Sequence, residues 1–173
     1  MSGTRAKALT VRRARTSDVP AVRGLLDAYV RERILLDKAT VTLYESIQEF
    51  WVAERDDDAR VVGCGALHVM WEDLAEVRTL AVDREFKGAG VGHQVLDKLL
   101  QTARWIGVRR VFCLTFEVDF FAKHGFTEIG ETPVDGDVYS ELLRSYDEGV
   151  AEFLGLERVK PNTLGNSRML LHL

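Results

Sequence analysis

Three glycines fall in five positions of Lys87-Gly88-Ala89-Gly90-Val91-Gly92, directly ahead of a strongly periodic helical pattern. Glycine lets a backbone come close to a ligand and take positive φ, so several amide N–H groups can point at one anion. A helix that begins there adds the N–H groups and partial positive charge of its first turn. The natural ligand of such a loop is a pyrophosphate, although the same glycines could simply make a tight turn. A nucleoside-triphosphate loop is excluded, because no Gly-Lys-Ser/Thr follows the second glycine. A dinucleotide fingerprint would need Gly-x-Gly-x-x-Gly in a parallel βαβ unit, whereas Gly88, Gly90 and Gly92 follow strands that read as a meander. Just upstream, Glu76, Arg78 and Leu80 share one face of a predicted strand. The first two are either a structural ion pair or a proton acceptor beside a substrate-contacting cation.

The remaining reactive residue types carry weaker signals. His68, His93, His124 and His172 are scattered without ligand spacing, so no metal is expected. His68 lies in an apolar strand and reads as a core imidazole. Cys64 and Cys113 both sit inside apolar runs and read as buried, reduced thiols.

Positioning these groups requires a sheet and several helices. Val11–Arg15 alternates as a first strand, and Thr16-Ser17-Asp18 offers caps for a helix carrying Val19, Val22, Leu25, Leu26 and Tyr29. Ile34-Leu35-Leu36-Asp37-Lys38 is a connector. Thr42 would cap a second helix with Leu43, Ile47 and Phe50 on one face. Strands are expected at 50–54, 61–70 and 76–82, turned by Asp56-Asp57-Asp58 and Trp71-Glu72-Asp73. The glycine loop then feeds the helix of Val91, Val95, Leu96, Leu99, Leu100, Ala103 and Ile106, closed by Gly107. A strand at 110–116, a short helix at 120–124 and a strand at 126–129 follow. One long helix is expected over about 138–154, then breaks at Pro161-Asn162 and Gly165-Asn166 and a last strand at 169–173. The layout predicts an α/β chain of the α+β type, a mixed central sheet of six or seven strands with helices on both faces.

With 173 residues and 46% hydrophobic composition, the chain reads as one domain, 9–173, behind a frayed tail over 1–8. A net charge of −4 argues against a nucleic-acid footprint. No apolar run reaches the length of a membrane span, and no apolar stretch follows the basic N-terminus. A cytoplasmic protein is expected, with no membrane or nucleic-acid partner. The apolar face after Pro133 leaves room for a homodimer.

A lysine, arginine or glutamine followed by x-x-Gly-x-Gly after a strand ending in Ala-Val resembles the acyl-CoA motif of the GNAT superfamily of N-acetyltransferases. Lys87, Gly90 and Gly92 match it. Phe120-Phe121-Ala122-Lys123-His124-Gly125-Phe126 is similar to that superfamily's Phe-Tyr-x-Lys-x-Gly-Phe segment, and Val11–Ala14 with Ser17-Asp18 to its first strand and helix. The resemblance implies the GNAT fold, with a splay between two central parallel strands. Acetyl-CoA would be the cosubstrate, its pantetheine on the backbone of Leu80, Ala81 and Val82 and its pyrophosphate on Lys87, Gly88, Ala89, Gly90, Val91 and Gly92.

Four further stretches resemble the acetyltransferase domain of N-acetylglutamate synthases: residues 34–38, 63–67, 75–82 and 165–170. That likeness implies transfer of acetyl to the α-amino group of L-glutamate, or L-glutamine, as the first step of arginine biosynthesis. Lys38 would hold a substrate carboxylate, and Asn166 and Ser167 would join it. Gly165 stands where those enzymes carry an arginine, which leaves Arg168 or Arg78 to compensate. The amino-acid-kinase domain of the long enzymes is absent from the sequence, so arginine control is not assumed. Glu76 would be the base, acting directly or through a water, and a backbone N–H at Thr79 or Leu80 would face the oxyanion of a tetrahedral intermediate. Phe121 replaces the tyrosine that usually protonates the leaving thiolate, so Thr115 takes that part. The rival readings are a GNAT enzyme for another small amine and a non-catalytic acetyl-CoA sensor.

Overall fold

The computed structural model describes residues 8–35, 37–155 and 165–173. Residues 1–7 of the expected tail, Leu36 of the connector and the break expected at Pro161-Asn162 lie outside them. Strands β1 (Leu9–Arg13), β2 (Phe50–Arg55), β3 (Val61–Trp71), β4 (Leu74–Val82), β5 (Arg110–Thr115), β6 (Thr127–Glu128) and β7 (Ser167–His172) form a mixed sheet in the order β1-β2-β3-β4-β5-β7-β6. The helices are α1 (Val19–Arg31), α2 (Thr40–Glu45), α3 (Val91–Ile106), α4 (Val118–Ala122), α5 (Gly136–Leu142) and α6 (Glu148–Leu154). The chain divides into two compact units. One comprises the chain up to Leu67 with Thr79–Thr102, the other His68–Arg78 with Ala103–Leu173.

In the first unit β1 runs antiparallel to β2, from Leu9 opposite Arg55 to Arg13 opposite Trp51. β2 runs antiparallel to β3, with a bulge between Ala53 and Glu54. The i, i+3, i+4 spacing of Val19, Val22, Leu25, Leu26 and Tyr29 buries one side of α1 against Leu43, Ile47, Phe50, Val52, Cys64, Ala66 and Ala81. Asp18 stands at the mouth of α1 and receives two bonds from Arg12, at 2.8 and 2.9 Å, and one from the Arg15 N–H at 2.7 Å. Arg12 also binds Glu54. This network ties β1 to β2 and to the start of α1.

In the second unit β4 and β5 are parallel, Leu74–Glu76 against Arg110–Phe112. A parallel pair needs a crossover, and α3 provides it, which is why the glycine loop lies between a strand and a helix. β7 pairs antiparallel with β5 over six residues and with β6 over two. Met70, Leu74, Phe112, Leu142, Val150, Phe153, Leu154 and Leu170 form this unit's core. Phe112 and Phe153 meet edge to face with ring centres 5.1 Å apart.

Two helical expectations need correction. Thr42 lies within α2, which starts at Thr40 and ends at Glu45; Ile47–Glu49 is a separate 3-10 turn that still buries Ile47 before β2 begins. The single helix expected over 138–154 is two, because Asp147 caps a new start by accepting from the Val150 N–H at 3.0 Å. Smaller shifts of one to three residues occur at strand and helix ends.

Removing the Asp18 carboxylate leaves the half-buried Arg12 with Glu54 as its one carboxylate partner, so Asp18→Ala is expected to cost about 2 to 3 kcal/mol at pH 7. The Arg12 bonds hold the Asp18 carboxyl below its usual value. Its contribution is therefore present above the ordinary carboxylate pKa, about 4, and is lost as pH falls through the lowered folded value. Urea denaturation should show the gap between the two proteins narrowing from pH 7 to pH 3; an unchanged gap would contradict the assignment.

Candidate active site

In the second unit the Arg78 guanidinium, 11% exposed, sits between two carboxylates. Its Nη2 donates to Glu76 Oε2 at 2.6 Å and to Asp147 Oδ2 at 2.7 Å, and its Nη1 donates to Asp147 Oδ1 at 2.8 Å. Burial works against the guanidinium's charge, and the two carboxylates more than restore it, raising Arg78 above the usual arginine value. Burial would likewise raise the Asp147 carboxyl, but the Arg78 bonds outweigh it and hold Asp147 well below the usual carboxylate range. Of the two contacts expected for Arg78, the structure displays the one with Glu76.

The surroundings of this pair are specific. A Cβ on Gly149 would overlap both Glu76 Oε2 and Arg78 Nη2, so a larger residue there would displace this ion pair. Burial, and then the charge of Glu76, push the Cys113 thiol well above its usual value. Such a thiol makes a poor nucleophile, which favours direct transfer over an acetyl-cysteine. Cys64, pushed up to about 12 by burial, is inert for the same reason. His68 is not a core imidazole: it is half-buried, with Nε2 3.8 Å from Asp147 Oδ1.

The other predicted residues of this unit take distinct places. Thr115 is buried, and its hydroxyl oxygen accepts from the Glu117 N–H at 2.8 Å. It lies opposite Ser167 in the β5–β7 register. Asn166 is buried, and its Oδ1 has no hydrogen-bond partner among the described residues. Arg168 donates to the carbonyl of Phe153 in α6 and lies over the Phe112 ring at 6.0 Å. Gly165 is exposed. Phe121, at the expected tyrosine position, is buried edge to face against Phe120 and Phe126.

The first unit carries the glycine loop. Gly88 has φ +80° and Gly90 φ +79°, with open space where a Cβ would stand. Gly90 accepts the helical bond from the Gln94 N–H, so the Val91 and Gly92 N–H groups precede it at the helix mouth. Lys87 is exposed, its Nζ 5.8 Å from the centre of the Tyr29 ring. Tyr29 donates its hydroxyl to the Val82 carbonyl at 2.5 Å. Thr79 has φ +59° inside β4, where a β-branched residue pays about 1–3 kcal/mol of strain. Its hydroxyl oxygen is buried without a partner among the described residues. Lys38 is half-buried, and Arg23 binds its carbonyl as well as the carboxylates of Asp27 and Asp37.

Sequence reasoning missed Asp147, Gly149 and Tyr29. The first two carried a local signal, because Ser145-Tyr146-Asp147-Glu148 reads as a helix start, but apolar spacing ran through it. Tyr29 was read only as a core residue of α1. Among the described residues no group of three His, Cys, Asp or Glu is placed to hold a metal, and no helix is long and apolar enough to cross a membrane.

Comparison with known proteins places the arrangement. Residues 46–128 match the Acetyltransferase (GNAT) domain. An amino-acid acetyltransferase of Mycobacterium tuberculosis is 64% identical over 162 residues, 93% of this chain and 92% of that protein. The crystal structure of a Mycobacterium tuberculosis protein in complex with CoA and NLQ superimposes with a TM-score of 0.91 at 63% identity, over 95% of this chain and 99% of that one. N-acetylglutamate synthase from Neisseria gonorrhoeae, complexed with coenzyme A and L-arginine, has a TM-score of 0.69 at 25% identity, over 95% of this chain and 33% of that one. The chain therefore belongs to the GNAT acetyltransferases.

Proposed function

We propose that this chain transfers the acetyl group of acetyl-CoA to the α-amino group of L-glutamate, or L-glutamine, releasing the N-acetyl amino acid and CoA as the first step of arginine biosynthesis. The observation that carries the reading is 64% identity, over 93% of the chain, to a protein named as an amino-acid acetyltransferase. The likeness to N-acetylglutamate synthase supports glutamate as the acceptor.

Acetyl-CoA supplies an acyl group activated as a thioester. The residues at the loop suit its diphosphate: the positive-φ glycines keep the approach open, Val91 and Gly92 present N–H groups at the helix mouth, and Lys87 adds a cation. The backbone of Leu80, Ala81 and Val82 would run beside the pantetheine. The acceptor amine arrives protonated at neutral pH, and Glu76 takes its proton directly or through a water. An N–H at Thr79 or Leu80 would then face the developing oxyanion, and the strained φ at Thr79 supports a specialised backbone there. Thr115 accepts from Glu117 yet keeps its own proton to donate to the leaving thiolate or to a water. Lys38, Asn166 and Ser167 would hold the amino acid, and the Asn166 oxygen, which has no partner among the described residues, is an acceptor suited to one of its N–H groups. Arg78 and Arg168 already have protein partners.

An acceptor screen with acetyl-CoA and a thiol readout should give the highest kcat/KM with glutamate or glutamine. Acetyl-CoA binding without acceptor-dependent thiol release would contradict the proposal in favour of a sensor. Glu76→Gln is expected to lower kcat by about a hundredfold, and Lys38→Ala to raise the amino-acid KM by about tenfold with CoA affinity unchanged. Gly90→Val, forced into a conformation side chains avoid, should weaken CoA binding in a calorimeter by about tenfold.

A further inference from the structure

We propose that Asp147 is a positioning residue for the proton transfer: by filling the guanidinium fork of Arg78 it keeps Glu76 held through Oε2 alone, leaving Oε1 to receive the proton of the acceptor amine. The proposal rests on Glu76 being the base. A guanidinium binds a carboxylate best side by side, through two parallel N–H···O bonds. Arg78 makes that two-point contact with Asp147, at 2.7 and 2.8 Å, and reaches Glu76 end-on at 2.6 Å through the Nη2 it shares with Asp147. Glu76 and Asp147 are thus competitors for one fork, and Asp147 occupies it. Without Asp147 the fork would turn onto Glu76 and engage both of its oxygens.

Asp147 is itself firmly placed. Its Oδ2 accepts from the Val150 N–H at 3.0 Å, its own N–H donates to the Ser145 hydroxyl at 3.1 Å, and His68 Nε2 lies 3.8 Å from its Oδ1. Gly149, with no side chain, lets this turn press directly on the Glu76–Arg78 pair. The break between α5 and α6 therefore delivers a carboxylate to the base rather than only turning the chain. In the transfer, Glu76 Oε1 takes one proton from the ammonium, the freed lone pair forms the bond to the acetyl carbon, the C–S bond breaks, and the second proton shed by the nitrogen balances the one that the departing thiolate takes up from Thr115 or a water. Asp147 changes no bond.

Asp147→Asn tests this, because asparagine retains the oxygen that caps α6 but cannot fill a guanidinium fork. The expected result is a loss of about tenfold in kcat with CoA affinity close to that of the parent protein, and a lower urea midpoint because the buried Arg78 loses a charged partner. In the background of Glu76→Gln the same change should cost nothing further, since the group it positions is gone. An unchanged kcat for Asp147→Asn, or losses that multiply in the double variant, would overturn the proposal. If Asp147→Asn does not fold, Arg78→Lys supplies the test. Its ammonium has no fork to close on both Glu76 oxygens, so Oε1 stays open and kcat should fall by less than about threefold; a larger loss would overturn the proposal. Full turnover by Glu76→Gln alone would instead remove the base on which the proposal rests.

Discussion

A guanidinium taken out of water has to be compensated where it stands, and the second unit is arranged around that requirement at Arg78. Its two compensating charges come from different parts of the chain, Glu76 from the same strand and Asp147 from the turn between α5 and α6. The second partner stands where one helix pattern stops and another starts, and a side chain on Gly149 would displace the paired Glu76 and Arg78 side chains. Losing either carboxylate would leave a buried charge short of a partner, which is far costlier than losing a surface pair.

The first unit is arranged around a different proposed task, that of offering backbone N–H groups to an anion without closing over it. Positive φ at Gly88 and Gly90 and the opening turn of α3 meet it locally. Tyr29 braces the approach from α1: its ring lies under the cations of Arg84 and Lys87, and its hydroxyl holds the carbonyl that ends β4. One strand, β4, leads from Glu76 to this loop, so a single stretch of sequence carries both the proposed base and the proposed approach to the cofactor.

Where structure follows from neighbours in sequence, the sequence was legible. The loop, α3, the meander of β2, β3 and β4, and α1 all depend on local periodicity, glycine placement and short turns. The restart at Asp147 was not legible, because Leu142, Leu143, Tyr146, Val150 and Phe153 keep helical spacing across it. At the break Asp147 caps the new helix and pairs with the distant Arg78, and periodicity registers neither. The same holds for His68, whose apolar strand suggested a core place while Asp147 brought a carboxylate to it. Arg168, whose place in a recognised segment suggested substrate, also donates to the Phe153 carbonyl, a bond that the sequence does not announce.

The central claim, that Glu76 held end-on by Arg78 accepts the acceptor's proton, is most directly tested by a crystal structure of the protein with CoA and N-acetylglutamate. The account predicts the acetylated nitrogen within hydrogen-bond reach of Glu76 Oε1, about 3 Å or one intervening water, with Arg78 still forked on Asp147. A product bound away from Glu76, or Arg78 swung from Asp147 onto the product's carboxylate, would contradict it.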